Sequence, residues 1–227
     1  MTATVPAPSP RRSPGRRAAR AVALAVAAAA TTAAGVYVAG GVITNDFRLS
    51  MALTAAWFVV AAAIAVASFK AGRSTGIPIL AGYLVAATAI GGYLALTTLQ
   101  DKVVDEAVVT GIPASAMPTT AAQSEPEPRN VEETRGTFTS AEHTTTGTAR
   151  VIRLASGRRV LTLTNFSTSP GPDLRVRIGE TDLGALKGNR GDQQYDLPDG
   201  FRPRNQTVRI WCRAFSALFG SARLREA

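Results

Sequence analysis

Three long stretches of the chain are apolar and contain no charged residue. They cover residues 21–44, 51–69 and 76–99, and each is close to the ~20 residues with which an α-helix crosses about 30 Å of hydrocarbon. A helix satisfies its own backbone hydrogen bonds, as a single segment within lipid must do. The pattern therefore predicts three transmembrane helices joined by short turns, with the lipid bilayer as a partner.

The basic residues around these stretches predict their orientation. Five arginines crowd the tail of residues 1–20, and Lys70 and Arg73 occupy the second turn. Cytoplasmic connections carry an excess of Lys and Arg, which assigns the tail to the cytoplasm and the chain after residue 100 to the extracytoplasmic side of the plasma membrane. The alternative is that residues 11–44 are a cleaved signal peptide. The length of this apolar run and the two stretches after it favour an uncleaved, multi-pass anchor.

The three predicted helices contain no Asp, Glu, Lys, Arg or His within their apolar stretches. Transporters, proton relays and voltage sensors need such side chains at membrane depth. We therefore interpret them as an anchor. Gly35, Ala39, Gly91 and Gly92 are small enough to permit close helix contacts, although a general richness in Ala and Gly explains them equally well.

Residues 101–134 differ in composition from the stretches on either side. They are rich in Pro, Ala and Glu, carry seven acidic residues against two basic ones, and show no apolar periodicity. Such a segment buries too little surface to offset the entropy lost on ordering. It is predicted to be a disordered, semi-extended linker that leads to a C-terminal domain of residues 135–227.

Apolar and polar positions alternate with a period of two along the C-terminal domain, which is typical of half-buried β-strands. Leu174, Val176 and Ile178 share one face of such a run, and arginines alternate with them on the other. Clusters of Gly, Pro, Asn, Asp and Ser separate the runs at about ten-residue spacing. The domain is therefore predicted to be all-β, either a β-sandwich or a barrel.

Charge excludes one class of function and leaves another open. The net charge is +9, and residues 135–227 hold 15 basic residues against 8 acidic ones. The basic residues alternate singly with apolar ones and form no Lys/Arg block, so nucleic acid is not predicted as a partner. In the loop 187–192, Lys187 and Arg190 lie among glycines and would suit a small anion. The alternative is that these glycines only shape tight turns.

Cys212 is the only cysteine of the chain and lies on what the alternation predicts to be the last long strand. Cys212 and Ala214 continue the apolar face of this strand, whereas Arg213 and Phe215 fall on the other face. A small buried hydrophobe is one interpretation. The other is a functional thiol, because an oxidising compartment normally pairs its cysteines and flanking arginines would stabilise a thiolate at a sheet edge.

Short segments of the C-terminal domain, in order and at matching spacing, resemble the blocks of the DM13 domain family. The resemblance covers about residues 134–225 and is carried by GTF (136–138), HTTTGTA (143–149), LTLTNF (161–166), GPDL (171–174), LKG (186–188), GDQQY (191–195), IWCRAF (210–215) and FGSA (219–222). The resemblance implies an extracellular β-rich module, found in animal proteins beside cytochrome domains and in bacterial membrane-tethered proteins. It also implies a signature cysteine, matched by Cys212, with a proposed role in redox chemistry or electron transfer.

His143 and Cys212 are the candidate ligands of a cofactor. His143 is the only histidine, and with Cys212 it would form an axial pair on a haem or two ligands of a copper site. No CxxCH segment attaches haem covalently and no His/Cys/Met cluster completes a metal site. The cofactor therefore stays unknown and no metal site is predicted.

Two functional hypotheses follow. In the first, a membrane-tethered module exchanges redox state through Cys212 with a redox partner; the chain has no second cysteine, so the resolving thiol must come from another molecule or a second copy. In the second, the module binds or adheres at the cell surface and Cys212 is a packing residue. Whether the chain is an enzyme stays open, since it shows no hydrolase or transferase constellation.

Overall fold

The structure is a computed structural model that describes residues 14–44, 46–116 and 129–227. Most of the predicted basic tail and residues 117–128 of the predicted linker lie outside these residues. The chain divides into two compact units. The helical unit contains Ala52–Gly92 together with the chain up to Ala39, and the barrel unit contains Gly40–Met51 and Tyr93–Ala227.

The three predicted helices are present, and each begins before its charge-free stretch, whereas the first ends at residue 41 and not at residue 44. They are α1 (Pro14–Gly41), α2 (Phe47–Ala71) and α3 (Arg73–Leu99). All three are long and apolar enough to cross a membrane. They begin before the apolar stretches because Arg, Lys and Leu are good helix formers, so charge marks the hydrocarbon-length part of each helix and does not end it.

Glycines set the close contacts within the helical unit. A Cβ atom on Gly35 would lie 1.9 Å from the ring of Trp57, whose indole nitrogen donates to the carbonyl of Thr32 at 3.0 Å. A Cβ atom on Gly82 would lie 2.1 Å from the carbonyl oxygen of Ala25. Small residues that let helices approach are typical of packing in lipid.

The small residues singled out from the sequence divide into two groups. Gly35 fulfils the expected role, because Trp57 of another helix packs against it, and Ala39 is buried. Gly91 and Gly92 do not, since a Cβ placed on either would meet no other element of the described chain within 4 Å. Gly82 was missed because a glycine in an Ala-rich helix carries no local mark of the face on which a neighbour packs.

The barrel unit is an antiparallel, nearly closed, barrel-like sheet. Its strands in the described residues are β1 (Ile112–Pro113), β2 (Val131–Ser140), β3 (Thr145–Arg153), β4 (Arg159–Thr168), β5 (Leu174–Ile178), β6 (Thr181–Ala185), β7 (Gln193–Asp196), β8 (Thr207–Cys212), β9 (Ala217–Arg223) and β10 (Arg225–Glu226). The order is β6-β5-β8-β9-β2-β3-β4-β7, and β1 and β10 both pair with β2. Only the short β1 runs parallel to its partner among the described strands. The all-β prediction is confirmed in its barrel form.

Strand alternation places the core inside the barrel. Leu174, Val176 and Ile178 are buried, while the arginines between them are half-buried on the outer face. Val208 and Ile210 of β8 pack in the same core. A strand buried on one face must alternate in this way, so this part of the sequence prediction is confirmed.

The start of the predicted linker packs on the barrel. We call residues 101–106 the acidic strap. The backbone N–H of Val104 donates to the carbonyl of Arg190 at 2.9 Å, and the backbone N–H of Glu106 donates to the carbonyl of Asp192 at 2.9 Å. Further along, Ile112 pairs with Val131, which already belongs to β2. Residues 101–116 and 129–134 thus differ from the extended tether expected there, because backbone pairing and ion pairs supply the ordering that apolar burial does not.

The strap also protects an exposed sheet edge. Strand β7 ends the sheet, and the backbone N–H of Gln194 on that edge donates to the Glu106 carboxylate at 2.9 Å. The carbonyl of the same residue accepts from Lys187 Nζ at 2.7 Å, and Lys187 and Glu106 pair at 2.7 Å. Unpaired edge groups invite association with other chains, and here one ion pair satisfies the N–H and the carbonyl of Gln194.

Candidate functional site

Cys212 is the last residue of β8 and lies inside the sheet. It pairs with Leu174 of β5 on one side and Ala217 of β9 on the other, and its side chain is fully buried. The predicted apolar face is therefore correct up to this residue. The sheet-edge position that a stabilised thiolate requires is not what the structure shows, because β8 has a neighbour on each side.

The alternation predicted beyond Cys212 is wrong. The strand ends there, and a tight turn of residues 213–216 leads into β9, which is longer than β8 and follows it. Ser216 adopts a left-handed φ of 48°, which reverses the chain and directs Phe215 into the core, where it is only 3% exposed. Strand periodicity does not carry across such a turn, so Phe215 was placed on the wrong face.

This turn covers the thiol and is held by hydrogen bonds to residues that precede the barrel strands in the chain. The hydroxyl of Ser216 donates to the carbonyl of Gly41 at 2.8 Å, and the hydroxyl of Ser50 donates to the carbonyl of Phe215 at 3.4 Å. The residue after the cysteine, Arg213, directs its guanidinium to an aspartate, Asp173, at 2.6 Å. The arginine next to Cys212 in the chain is therefore paired with a carboxylate.

The environment of Cys212 keeps the thiol protonated. Burial raises its pKa to about 11, backbone hydrogen bonds from Phe215 and Ala214 act in the opposite direction, and the carboxylates of Asp173 and Glu142 add a smaller upward effect. The thiolate is the reactive form of cysteine. At neutral pH the side chain is therefore a closed, neutral thiol.

His143 lies at the same end of the barrel, in the turn between β2 and β3. Its ring stacks on Phe219 at 3.9 Å between centroids and meets Phe47 edge-on at 4.6 Å. Phe47 also contacts Phe215 at 5.6 Å, so a four-ring aromatic cluster (Phe47, His143, Phe215, Phe219) extends from the histidine to the turn that covers Cys212. Sequence patterns could not predict this cluster, because Phe47 is 96 residues away from His143 in the chain.

The aromatic cluster determines the ionisation of the histidine. Burial lowers the pKa of His143, and the charge of Glu142 opposes this shift. Its Nε2 atom is buried and has no hydrogen-bond partner among the described residues. The ring is therefore neutral at pH 7 and is held by aromatic packing.

These two side chains do not fit the haem or copper site considered from the sequence. Metal ligands are the deprotonated thiolate and an accessible imidazole nitrogen, whereas Cys212 is a buried neutral thiol and His143 is covered by phenylalanine rings. In the described part of the chain, no group of three or more His, Cys, Asp or Glu side chains is arranged to hold a metal ion.

The loop 187–192 binds carboxylate side chains of the same protein. Asn189 donates to the carboxylate of Asp101 at 2.7 Å, and Arg190 pairs with the same carboxylate at 3.1 Å. Gly191 has a φ of 96°, and a Cβ atom there would lie 1.8 Å from the carbonyl oxygen of Val104. Both sequence interpretations therefore hold in part: basic residues bind carboxylates, and glycine permits the close approach of the strap.

The fold and the site together define an antiparallel β-barrel domain with one buried cysteine at its end. Residues 137–224 match the family model described as "Electron transfer DM13". This match covers the C-terminal part of the chain, from β2 to β9, and confirms the resemblance carried by the sequence segments. No curated protein and no solved structure matches the chain.

Proposed function

We propose that the chain is a multi-pass plasma-membrane protein whose extracytoplasmic DM13 domain takes part in electron transfer through Cys212. The match of residues 137–224 to a family described by electron transfer carries the proposal. Three helices that are long and apolar enough to cross a membrane support the anchor. The distribution of Lys and Arg around them supports a cytoplasmic N-terminus.

The reaction that fits a single cysteine is thiol–disulfide exchange with a disulfide on another molecule. The Cys212 thiolate attacks one sulfur of the partner, a new S–S bond forms and the partner's own S–S bond breaks. The leaving thiolate takes up the proton that Cys212 released. A second thiol, from the partner or another copy of the chain, resolves the mixed disulfide, since the chain has only one cysteine.

This reaction requires the turn over Cys212 to open. The thiol is fully buried and its pKa is about 11, so neither access nor thiolate is provided by the closed state. The hydrogen bond from the Ser216 hydroxyl to the carbonyl of Gly41 is the contact whose loss would release the turn. We therefore assign the turn and Gly41 the role of a gate that restricts exchange to partners able to displace it.

A second candidate function is favoured by the complete burial of Cys212. In that case the barrel binds or adheres at the cell surface, and the cysteine is a small core residue that contacts Leu174 and Ala217 across the sheet. Buried cysteines of this kind are inert. The two candidates differ in whether the native domain ever exposes the thiol.

Native-state exchange with an aromatic disulfide, 5,5′-dithiobis(2-nitrobenzoate), distinguishes them. The detergent-solubilised full-length chain should react slowly, and a Ser216→Ala variant should react several-fold faster because its turn has lost the bond to Gly41. Ser221→Ala, which changes a half-buried serine of β9, is the matched control and should react as the parent does. Cys212→Ser should not react.

The electron-transfer role fails if exchange occurs only when the whole domain unfolds. That result would show as a reaction rate that follows the global unfolding free energy equally in the parent, Ser216→Ala and Ser221→Ala. It would favour the binding module in which Cys212 serves packing alone.

A further inference from the structure

Four arginines line an open cleft of about 950 Å³ at one end of the barrel. Arg153 ends β3 and Arg159 begins β4. Arg202 and Arg204 lie in the connection between β7 and β8, and Phe201 beside them is a half-buried ring packed against the barrel core. These four arginines and the space between them are called the basic cleft.

The basic cleft and Cys212 lie at opposite ends of the barrel. The first residue of β2, Val131, pairs with Arg153 at the cleft. The last residue of the same strand, Ser140, pairs with Gly220 in the hairpin that follows Cys212. The length of β2 separates the two sites, so the cleft is independent of the proposed redox role.

One carboxylate is shared by two guanidinium groups at the base of the cleft. Arg153 and Arg159 lie directly opposite each other on neighbouring strands, an arrangement that is unfavourable for like charges. Glu133 accepts from Arg153 Nε at 3.1 Å and from Arg159 Nε at 2.7 Å. Two positive charges against one negative charge leave this pair with an excess of +1 and with N–H donors that Glu133 does not use.

The two arginines of the β7–β8 connection add to this excess. Arg204 pairs with Glu226 at 3.0 Å, and both side chains are mostly exposed. Arg202 is exposed and forms no hydrogen bond or ion pair with the described residues. The side chains of the cleft therefore comprise four guanidinium groups and two carboxylates.

Guanidinium groups arranged in this way recognise oxoanions. Each presents five N–H donors in a planar fork that matches phosphate and carboxylate geometry. The cleft is within the size range of about 300–1,000 Å³ that small-molecule sites occupy, and Phe201 offers an apolar surface beside the charges. We propose that the basic cleft binds a ligand that carries at least two phosphate or carboxylate groups.

Titration of the detergent-solubilised full-length chain with inorganic pyrophosphate and with citrate tests this site. Calorimetry should show saturable binding at one site per chain that weakens with added salt. Arg202→Gln should weaken it by about tenfold, because a charge-assisted, bidentate contact is lost. Arg202 has no partner among the described residues, so this variant is expected to fold normally.

Arg209→Gln is the matched control, since it removes the same charge from the outer face of β8, away from the cleft lining. It should leave the affinity within about twofold of the parent. The proposal is overturned if neither pyrophosphate nor citrate binds saturably. It is also overturned if the two variants weaken binding equally, because a general charge effect would then explain the result.

Vesicles distinguish the two sources of such a ligand. If phosphatidylglycerol vesicles, but not phosphatidylcholine vesicles, displace pyrophosphate from the parent and not from Arg202→Gln, the ligand group is a lipid phosphate. If neither displaces it while pyrophosphate still binds, the ligand is a soluble oxoanion. Both outcomes support the oxoanion site and differ only in its source.

Discussion

The two ends of the barrel are built from the same strands and have opposite chemistry. At one end Cys212 is fully buried and the aromatic cluster surrounds His143. At the other end the basic cleft is open and its arginines keep their charges in contact with water. Burial disfavours the charged form of a titratable group, whereas exposure and nearby carboxylates preserve it.

This difference indicates how each end is reached. A ligand of the basic cleft needs only to diffuse to it, and electrostatic attraction assists the encounter. A reaction at Cys212 first requires the turn of residues 213–216 to move, since that turn and Phe215 cover the sulfur. We therefore expect perturbations of the closed end to change stability, and perturbations of the open end to change binding. Four predictions test this expectation, from the largest effect to the smallest.

The largest loss is expected from Phe219→Ala. Phe219 is 1% exposed and stacks on His143, so its removal leaves a cavity and should lower the free energy of unfolding by about 3–5 kcal/mol. Denaturant unfolding of the full-length chain in detergent measures the change. Phe201→Ala at the open end, where the ring is half-buried, should cost clearly less. Equal losses would contradict the distinction between the two ends.

Two glycines, one at each end of the barrel, separate the effect of the strap contact from the effect of a left-handed backbone. Gly191 and Gly157 both have positive φ angles, 96° and 85°, but only Gly191 faces a backbone oxygen where a Cβ would lie. Alanine at either position should cost about 1–2 kcal/mol for the left-handed conformation. Gly191→Ala should cost about 1–3 kcal/mol more, because the strap must move. Unfolding free energies measure both, and increased exchange of the backbone amides of Val104 and Glu106 should accompany Gly191→Ala alone.

The buried thiol predicts a loss of stability at alkaline pH. The pKa of Cys212 is raised from 9.0 to about 11, so folding favours the protonated form. The resulting stability is present below pH 9 and is lost as the pH rises towards 11, by about 2–3 kcal/mol. Unfolding free energies measured from pH 8 to pH 11 give this slope.

Cys212→Ala is the control for the alkaline slope. It lacks the titrating group, so its stability should fall less over the same pH range even if it is lower at pH 8. Parallel curves for the parent and the variant would show that Cys212 is accessible to water, which would remove the contrast with the open end.

The smallest effect concerns His143 in acid. Burial lowers its pKa below 6.5, so the folded state favours the neutral ring. The stability from this preference is present above pH 6.5 and is lost as the pH falls through the lowered pKa. His143→Phe keeps an aromatic ring against Phe219 and should flatten the pH dependence of unfolding below pH 6.5. An unchanged acid slope would assign the loss to other groups.

Local pattern was sufficient for much of the fold. The three helices follow from apolar length, which is a property of each segment by itself. The alternation of Leu174, Val176 and Ile178 placed the core face of β5 correctly, because side chains of a strand alternate with a period of two. The segments that resemble DM13 were likewise short stretches of contiguous residues.

The candidate site was predicted less completely, for a reason visible in particular residues. Cys212 was placed on the apolar face, but Phe215 was misplaced because a turn with Ser216 at a φ of 48° ends the periodicity. The partners of Arg190 and Lys187 could not be assigned, since Asp101 and Glu106 lie more than 80 residues earlier in the chain. Composition alone therefore predicted that the acidic segment is a tether.

The sequence by itself determined the apolar spans, the strand alternation, the isolation of one cysteine and the family resemblance, all of which depend on residues close together in the chain. Tertiary structure decided what surrounds those residues. The closed thiol, the aromatic cluster around His143 and the basic cleft each combine side chains from distant strands. Strand register and turn geometry bring such side chains together, and those depend on the packing of the whole barrel.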